Sequence, residues 1–154
     1  MEASLFWKKL SDKKEIELLS YLQQWIAQNP FHKIYIGCDS HNQGNRTIFA
    51  TVIVLHYGEG GGHVLFKKTS VERIQDRYNR LWREVELSVA TAQLLLELGL
   101  SKPDYIDVDL NPDPRYKSNS VLRAAVGLIE SLGIKARYKT TSPWAISVAD
   151  SLCK

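Results

Sequence analysis

Ile34-Tyr35-Ile36-Gly37-Cys38-Asp39-Ser40 is the stretch from which the fold can be argued. Its apolar and β-branched residues predict a strand, in which Ile34, Ile36 and Cys38 face one side of a sheet. Tyr35, Gly37 and Asp39 then face the other side. A carboxylate at the end of an apolar strand is costly to bury without a partner, so Asp39 is the first candidate functional residue.

The composition is that of a globular protein with one domain. The chain has 154 residues, of which 44% are hydrophobic and 24% are charged. No apolar run approaches the length that spans a membrane, and the first nine residues lack the order of a signal peptide. We therefore expect a cytoplasmic protein with no membrane partner. The formal net charge of +3 permits nucleic-acid binding without arguing for it.

The order of elements predicts an α/β fold. Asp12 with Glu15 resembles a capping box that opens a first helix, which ends at Asn29-Pro30. The later segments read as three strands, a long helix, a strand, a helix, a strand and a last helix: residues 34–40, 47–57, 63–69, 71–98, 105–110, 118–132, 134–139 and 142–154. We predict a mixed five-stranded sheet in the order βββαβαβα with helices on both faces. Residues 1–30 would be a helical extension packed on a domain of residues 31–154.

This order of elements, with an acid in the first of the three consecutive strands, resembles the ribonuclease H-like fold. Local strings resemble the bacterial YkuK family of ribonuclease H-like proteins over about residues 31 to 152. Those strings are Ile36-Gly37-Cys38-Asp39-Ser40, Glu84-Val85 with Ser88, Asp107-Val108-Asp109-Leu110-Asn111-Pro112-Asp113-Pro114, Tyr116-Lys117-Ser118-Asn119, and Trp144 with Ala149-Asp150. The resemblance implies a ribonuclease H-like fold. Because that fold is found in nucleases, it also implies a nuclease activity.

Ribonuclease H-like proteins take carboxylates from the first strand, the long helix, the fourth strand and the last helix. The resemblance implies that Asp39, Glu84, Asp109 and Asp150 fill these places as catalytic metal ligands. Two Mg²⁺ or Mn²⁺ ions about 3.5–4 Å apart activate a water and stabilise the leaving oxygen in phosphodiester hydrolysis. Such ions prefer carboxylate oxygens, which fits this set of residues.

Two choices within this set stay open from the sequence. Glu84 lies on the margin of the buried stripe of its helix, whereas Glu86 lies on the opposite side, which favours Glu84 as the ligand. The alternative role for Glu84 is a surface ion pair with Arg80, four residues before it. Asp107 and Asp109 share a face of one strand. Asp109 lies nearer the carboxyl end of the strand and is taken as the ligand, with Asp107 as a supporting acid or a solvated edge residue.

Other acids and bases also have two readings. Asp39 is alternatively a turn-forming residue, and Asp150 is alternatively part of a solvated terminus. Lys117, Ser118 and Asn119 start a helix, whose N-terminus favours phosphate, and Arg80 continues a basic row toward Glu84. We take these four as candidate substrate-binding residues; ordinary capping and a solvated helix face are the alternatives.

The sequence therefore supports one leading hypothesis and one alternative. The leading hypothesis is a nuclease that hydrolyses DNA or RNA with two Mg²⁺ or Mn²⁺ ions. The alternative is a non-catalytic nucleic-acid-binding or assembly module that keeps the ribonuclease H-like fold. The choice between DNA and RNA is not fixed by the residues.

Overall fold

The computed structural model describes residues 5–57, 61–110, 115, 119–138 and 144–153, without the side chains of residues 144, 146, 147 and 153. In chain order the elements are β1 (Phe6–Lys9), β2 (Glu15–Glu17), α1 (Leu18–Gln28), β3 (Lys33–Gln43), β4 (Arg46–His56), β5 (Gly62–Glu72), α2 (Arg77–Glu97), β6 (Tyr105–Asp107), α3 (Asn119–Ser131), β7 (Lys135–Arg137) and α4 (Trp144–Cys153).

Within the described residues, seven strands form one mixed sheet in the order β2-β1-β5-β4-β3-β6-β7. Strands β3, β4 and β5 are an antiparallel meander, and β6 and β7 continue it in parallel with β3. This arrangement confirms the predicted α/β class and the five strands of the predicted order. The five-stranded description is wrong in detail, because the hairpin β1–β2 extends the sheet beyond β5.

The hairpin replaces the start of the predicted first helix. Asp12 lies in the turn between β1 and β2, where it accepts a hydrogen bond from the Lys14 amide at 2.9 Å. The helix begins later, at Leu18, and its N-cap is Glu17, which accepts from the Ser20 amide at 2.8 Å. A short acid that caps helices also stabilises turns, which is why the capping-box prediction at Asp12 was wrong.

The long helix also begins later than predicted. Val71 and Glu72 end β5, which pairs with β4 along the full length of both strands. Asp76 is the N-cap of α2 and accepts from the Tyr78 amide at 2.8 Å. The C-terminus follows the prediction, since Gly99 takes the left-handed conformation with φ of 75°. The later strands β6 and β7 are shorter than predicted, so Asp109 lies beyond β6 rather than within it.

The two faces of β3 lie in two separate cores, as the alternation of its residues predicts. Ile34 and Ile36 belong to the larger core, which α1, α2 and α3 cover. Tyr35 belongs to the smaller core, which α4 covers by packing on β3 and β4. Asp39 lies on the same face as Tyr35, toward α4. The sheet therefore separates α2 from α4, and a site that uses both helices needs side chains from both faces of β3, beyond Gly37 where its pairing with β6 ends.

Among the residues that the structure describes, we find no helix that combines the length and the apolar character needed to cross a membrane.

The hairpin gives a test of the fold. Trp7 is 3% exposed and packs in the larger core, whereas its neighbour Phe6 is 57% exposed on the opposite face of β1. We expect Trp7→Ala to lower the free energy of unfolding by about 3–5 kcal/mol, measured by urea denaturation. Phe6→Ala is the matched control and should change it by about 0.5 kcal/mol or less. Equal losses would mean that the register of β1 is wrong, because a slip of one residue exchanges the faces.

Candidate functional site

Asp39 is nearly buried on β3, with 7% of its surface exposed. One of its carboxyl oxygens, Oδ1, accepts a hydrogen bond from the Ser40 amide at 2.9 Å. The side chain is also hydrogen-bonded to the carboxyl group of Asp150 on α4. This contact with Asp150 contributes to raising the pKa of Asp39.

Glu84 approaches from the other side of the sheet. It lies on α2 with 6% of its surface exposed, and its carboxylate accepts a hydrogen bond from the Ser40 hydroxyl. Glu86 is instead exposed and pairs with Arg83 at 3.4 Å. The structure thus places Glu84 beside β3 and Glu86 in solvent, as the helical periodicity indicated. Ser40 was not singled out from the sequence, although its position next to Asp39 on an alternating strand contained that information.

Asp109 lies two residues beyond β6 and is half-buried. Its negative charge raises the pKa of both Asp39 and Glu84, so Asp109 lies close enough to act on both groups. Glu84 and Asp109 also line one small cleft, together with Asp107 and Cys38. The structure therefore brings together the four acids that the sequence analysis assigned to the first strand of the meander, the long helix, the fourth strand and the last helix.

The pKa values of Asp39 and Glu84 reflect their burial first and the neighbouring acids second. Burial, followed by the hydrogen bond with Asp150 and the charge of Asp109, raises the pKa of Asp39 to about 7 against the Ser40 amide bond. Burial raises the pKa of Glu84 to about 8; the Ser40 hydroxyl lowers it, and the charges of Asp39 and Asp109 raise it further. Both shifts have the sign expected for carboxyl groups that are withdrawn from water and face one another.

Such a set of oxygens has the chemistry of a site for a hard divalent cation, because a cation stabilises buried carboxylates and offsets the repulsion between them. The side chains do not yet surround an ion. Across the described ranges, no group of three or more His, Cys, Asp or Glu side chains is placed so that it holds a metal. Glu84 contacts Ser40, and Asp39 contacts Asp150, so a shared ion would replace or supplement these contacts.

The carboxylate of Asp107 is buried and paired with other residues rather than solvated. It is 1% exposed, and the Arg137 guanidinium donates to its oxygens at 2.7 and 2.9 Å. The Ala145 amide at the start of α4 donates to the same carboxylate at 2.9 Å. Arg137 also lies over the rings of Tyr35 and Tyr105, at 4.3 and 4.6 Å from their centroids. This cluster joins β6, β7 and α4, and α4 carries Asp150.

Arg137 was missed in the sequence because its partner lies 30 residues away. What identifies Arg137 is its position in the sheet, where it lies opposite Asp107 in the pairing of β7 with β6. That pairing can be known only once the strand order is known. The expectation that Asp107 might be a solvated edge residue fails for the same reason: β7 covers the edge of β6.

The candidate substrate-binding residues fall into three groups. Arg80 lies one turn before Glu84, its charge lowers the pKa of Glu84, and its buried Nε has no hydrogen-bond partner among the described residues. Asn119 is the first residue of α3. Lys117 and Ser118 lie outside the described residues. Arg80 is therefore the candidate with an available donor beside the acids.

Comparison with known proteins identifies one family. The family model described as Ribonuclease H-like matches residues 17–154, which is most of the chain. No curated protein and no solved structure matches the chain.

The burial of Glu84 predicts how stability depends on pH. Its pKa in the folded protein, about 8, lies above the value of 4.5 for an exposed glutamate. Its contribution to stability is therefore full below about pH 4.5 and is lost as the pH rises through about 8. In the presence of EDTA, the midpoint of thermal unfolding should fall over this range. Glu84→Gln should reduce the fall, because the amide does not ionise.

Glu86→Gln is the matched control on the same helix and should keep the wild-type dependence on pH, since Glu86 is exposed. Two results would contradict the burial of this carboxylate. One is a wild-type unfolding midpoint that does not change between about pH 5 and 8. The other is a Glu84→Gln variant whose midpoint falls over that range by as much as that of wild type.

The pair of Asp107 and Arg137 gives a second test. Arg137→Met leaves the Asp107 carboxylate buried without its cation, which should lower the free energy of unfolding by about 3–5 kcal/mol in urea denaturation. Arg83→Met breaks an exposed pair with Glu86 and should cost about 0.5 kcal/mol or less. Similar losses in the two variants would argue against a buried ion pair.

Proposed function

The chain belongs to the ribonuclease H-like family, and we propose that it is a divalent-metal-dependent nuclease that hydrolyses phosphodiester bonds of DNA or RNA. One observation carries the proposal: carboxyl groups from four separate parts of the fold act electrostatically on one another around Asp39, just beyond the residues of β3 that pair with β6. A cluster of this kind is costly to maintain unless cations neutralise it, which favours a role for the acids beyond packing.

Asp39, Glu84, Asp109 and Asp150 are the proposed ligands of Mg²⁺ or Mn²⁺. When bound, such ions activate a water and stabilise the oxygen that leaves the phosphorus atom. Asp39 and Glu84 must first give up the protons that their raised pKa values retain in the metal-free protein. Metal binding should therefore strengthen as the pH rises toward 8.

The remaining residues of the site orient the acids and the substrate. Ser40 holds the Glu84 carboxylate beside β3 through its hydroxyl. The unpaired Nε of Arg80 is buried, so its donation to a phosphate oxygen near Glu84 requires the Arg80 side chain to move. Lys117, Ser118 and Asn119 stay proposed as a second phosphate contact at the start of α3, because the exposed amides of a helix N-terminus favour anions.

A second candidate function is a nucleic-acid-binding or assembly module without turnover. The observation that favours it is the absence, in the described residues, of side chains already arranged around a metal ion. In that case Asp39 would stay in contact with Asp150 rather than with a metal ion. Binding of nucleic acid without cleavage in any divalent ion distinguishes this candidate from the nuclease.

Asp39→Asn tests the nuclease directly. The amide keeps the shape of the side chain and can still hydrogen-bond to Asp150, but it is a far weaker metal ligand. We expect the rate of cleavage with Mg²⁺ or Mn²⁺ to fall by about a hundredfold or more, because bound metal contributes several kcal/mol to this chemistry. The measurement uses labelled single-stranded DNA, duplex DNA, single-stranded RNA and an RNA–DNA hybrid.

Glu86→Gln removes an equal charge from an exposed position of α2 and should cleave at the wild-type rate. Equal cleavage by wild type and Asp39→Asn would sink the nuclease proposal, as would a wild-type protein that cleaves none of the four substrates.

A further inference from the structure

The antiparallel meander extends beyond the rest of the sheet. The pairing of β3 with β6 ends at Gly37, whereas β3 stays paired with β4 as far as Gln43 and Arg46. Strand β5 accompanies β4 over the same length and pairs Glu72 with Arg46. At about 3.4 Å per residue, the hairpin of β3 and β4 therefore projects about 20 Å past the last residue that pairs with β6.

The far end of this projection, residues 41–46, is a polar ribbon that we call the β-finger. Five of its six residues are exposed: His41, Gln43, Gly44, Asn45 and Arg46. It contains no Phe, Tyr or Trp. By the alternation of a strand, His41 and Gln43 lie on the face of β3 that carries Asp39. The β-finger therefore continues directly from the acidic site.

Contacts from β5 and the residue after it hold the tip of the β-finger. The turn Gly44-Asn45 uses the positive φ of 59° that Gly44 adopts. Arg73 fastens this turn, because its amide donates to the Asn45 carbonyl at 3.0 Å and its guanidinium donates to the Gly44 carbonyl at 2.7 Å. The Arg46 guanidinium donates to the hydroxyl and the carbonyl of Ser70, at 3.0 and 2.8 Å.

A second set of contacts joins the base of the β-finger to the segment that leads into α2. The Asn42 side chain donates to the Ile74 carbonyl at 3.2 Å and accepts from the Thr47 hydroxyl. The Ile74 amide donates to the same hydroxyl at 2.9 Å. Ordering an exposed polar hairpin costs chain entropy and buries little apolar surface. An element that is already ordered loses less entropy on binding, so this rigidity favours a role in recognition.

The side chains of the β-finger have groups to offer a ligand. Arg46 and Arg73 are exposed, and these contacts use two and one of their five N–H donors. Their other donors suit phosphate oxygens, and the side-chain amides of Gln43 and Asn45 suit the edges of bases.

The charge around the β-finger suits a polyanion. Residues 41–47 and 70–80 contain four arginines and two acids. One of the acids, Asp76, is engaged as the N-cap of α2. The projection is therefore positive next to an acidic site, an arrangement that attracts a phosphate backbone toward the acids once metal neutralises them.

We propose that the β-finger enters the major groove of double-stranded DNA beside the acidic site. The major groove of B-form DNA is about 12 Å wide and admits a two-stranded ribbon, whose strands lie about 4.8 Å apart. The major groove of an A-form RNA–DNA hybrid is too narrow for side chains to read. A single strand has no groove and is bound by stacking on aromatic rings, which the β-finger lacks. Duplex DNA as the substrate of the acids rests on the proposed nuclease function; the binding itself does not.

The test measures binding of labelled duplex DNA to the full chain by fluorescence anisotropy, with EDTA present so that no cleavage occurs. Wild type should bind the duplex about tenfold or more tightly than the single strand or the RNA–DNA hybrid of the same sequence. Gln43→Ala/Asn45→Ala should weaken duplex binding about fivefold or more, as expected when hydrogen bonds to the DNA are lost. The slope of log K against log salt should not change, because amides carry no charge.

Gln23→Ala/Gln24→Ala is the matched control, since it removes two amides from exposed positions of α1 and should bind like wild type. Arg73→Gln should lower the salt slope by about 0.9, the contribution of one phosphate contact on duplex DNA. Lys102→Gln removes an equal charge from an exposed position before β6, at the opposite end of the sheet, and should leave the slope unchanged.

The β-finger has no such role if wild type binds no duplex DNA, or if the single strand or the hybrid binds as tightly as the duplex. Equal binding by the two double variants would also overturn it, because the effect would then not depend on where the amides lie.

The same variants separate this inference from the nuclease. Duplex binding that depends on the β-finger, in a protein that cleaves nothing in Mg²⁺ or Mn²⁺, supports the β-finger and removes the nuclease. Metal-dependent cleavage together with wild-type duplex binding in Gln43→Ala/Asn45→Ala and Arg73→Gln removes the β-finger and leaves the nuclease in place.

Discussion

Two consecutive residues of β3 hold the candidate site together because they face opposite sides of the sheet. Asp39 points toward α4 and is hydrogen-bonded to Asp150, while Ser40 points toward α2 and donates to Glu84. The alternation of a strand thereby joins two helices that the sheet otherwise separates. A slip of one residue in β3 would exchange the two side chains and break both contacts, so the register of the central strand is the constraint on which the site depends.

The same arrangement is electrostatically unfavourable for the protein without metal. Buried Asp39 and Glu84 keep raised pKa values because they are withdrawn from water and lie near Asp109. Apolar packing around the site offsets this cost: the larger core fixes α2, and the smaller core fixes α4. The Asp107–Arg137 pair also holds the start of α4 through the Ala145 amide. One carboxylate thus stabilises the helix that carries another.

Much of the fold was predictable because its signals are local. The alternation of β3, the meander and the helix end at Gly99 all follow from periodicity and turn residues, and they are found in the structure. The placement of Glu84 rather than Glu86 also follows from periodicity. The hairpin β1–β2 was not predicted, because Asp12 suits a turn and a helix cap equally well, and only the burial of Trp7 between sheet and helices decides between them. The Asp107–Arg137 pair forms because two short parallel strands, β6 and β7, lie side by side. No local sequence pattern reveals that these strands pair.

The central claim is that the acids on β3 and after β6 share a cation. Crystals of the protein soaked in Mn²⁺, with anomalous diffraction recorded at the manganese edge, test it most directly. We expect an Mn²⁺ peak between the carboxyl groups of Asp39 and Asp109, with the contact between Asp39 and Asp150 replaced by contacts to metal. A structure in which Asp39 and Asp109 have no common ion, while Asp39 stays hydrogen-bonded to Asp150, would contradict it.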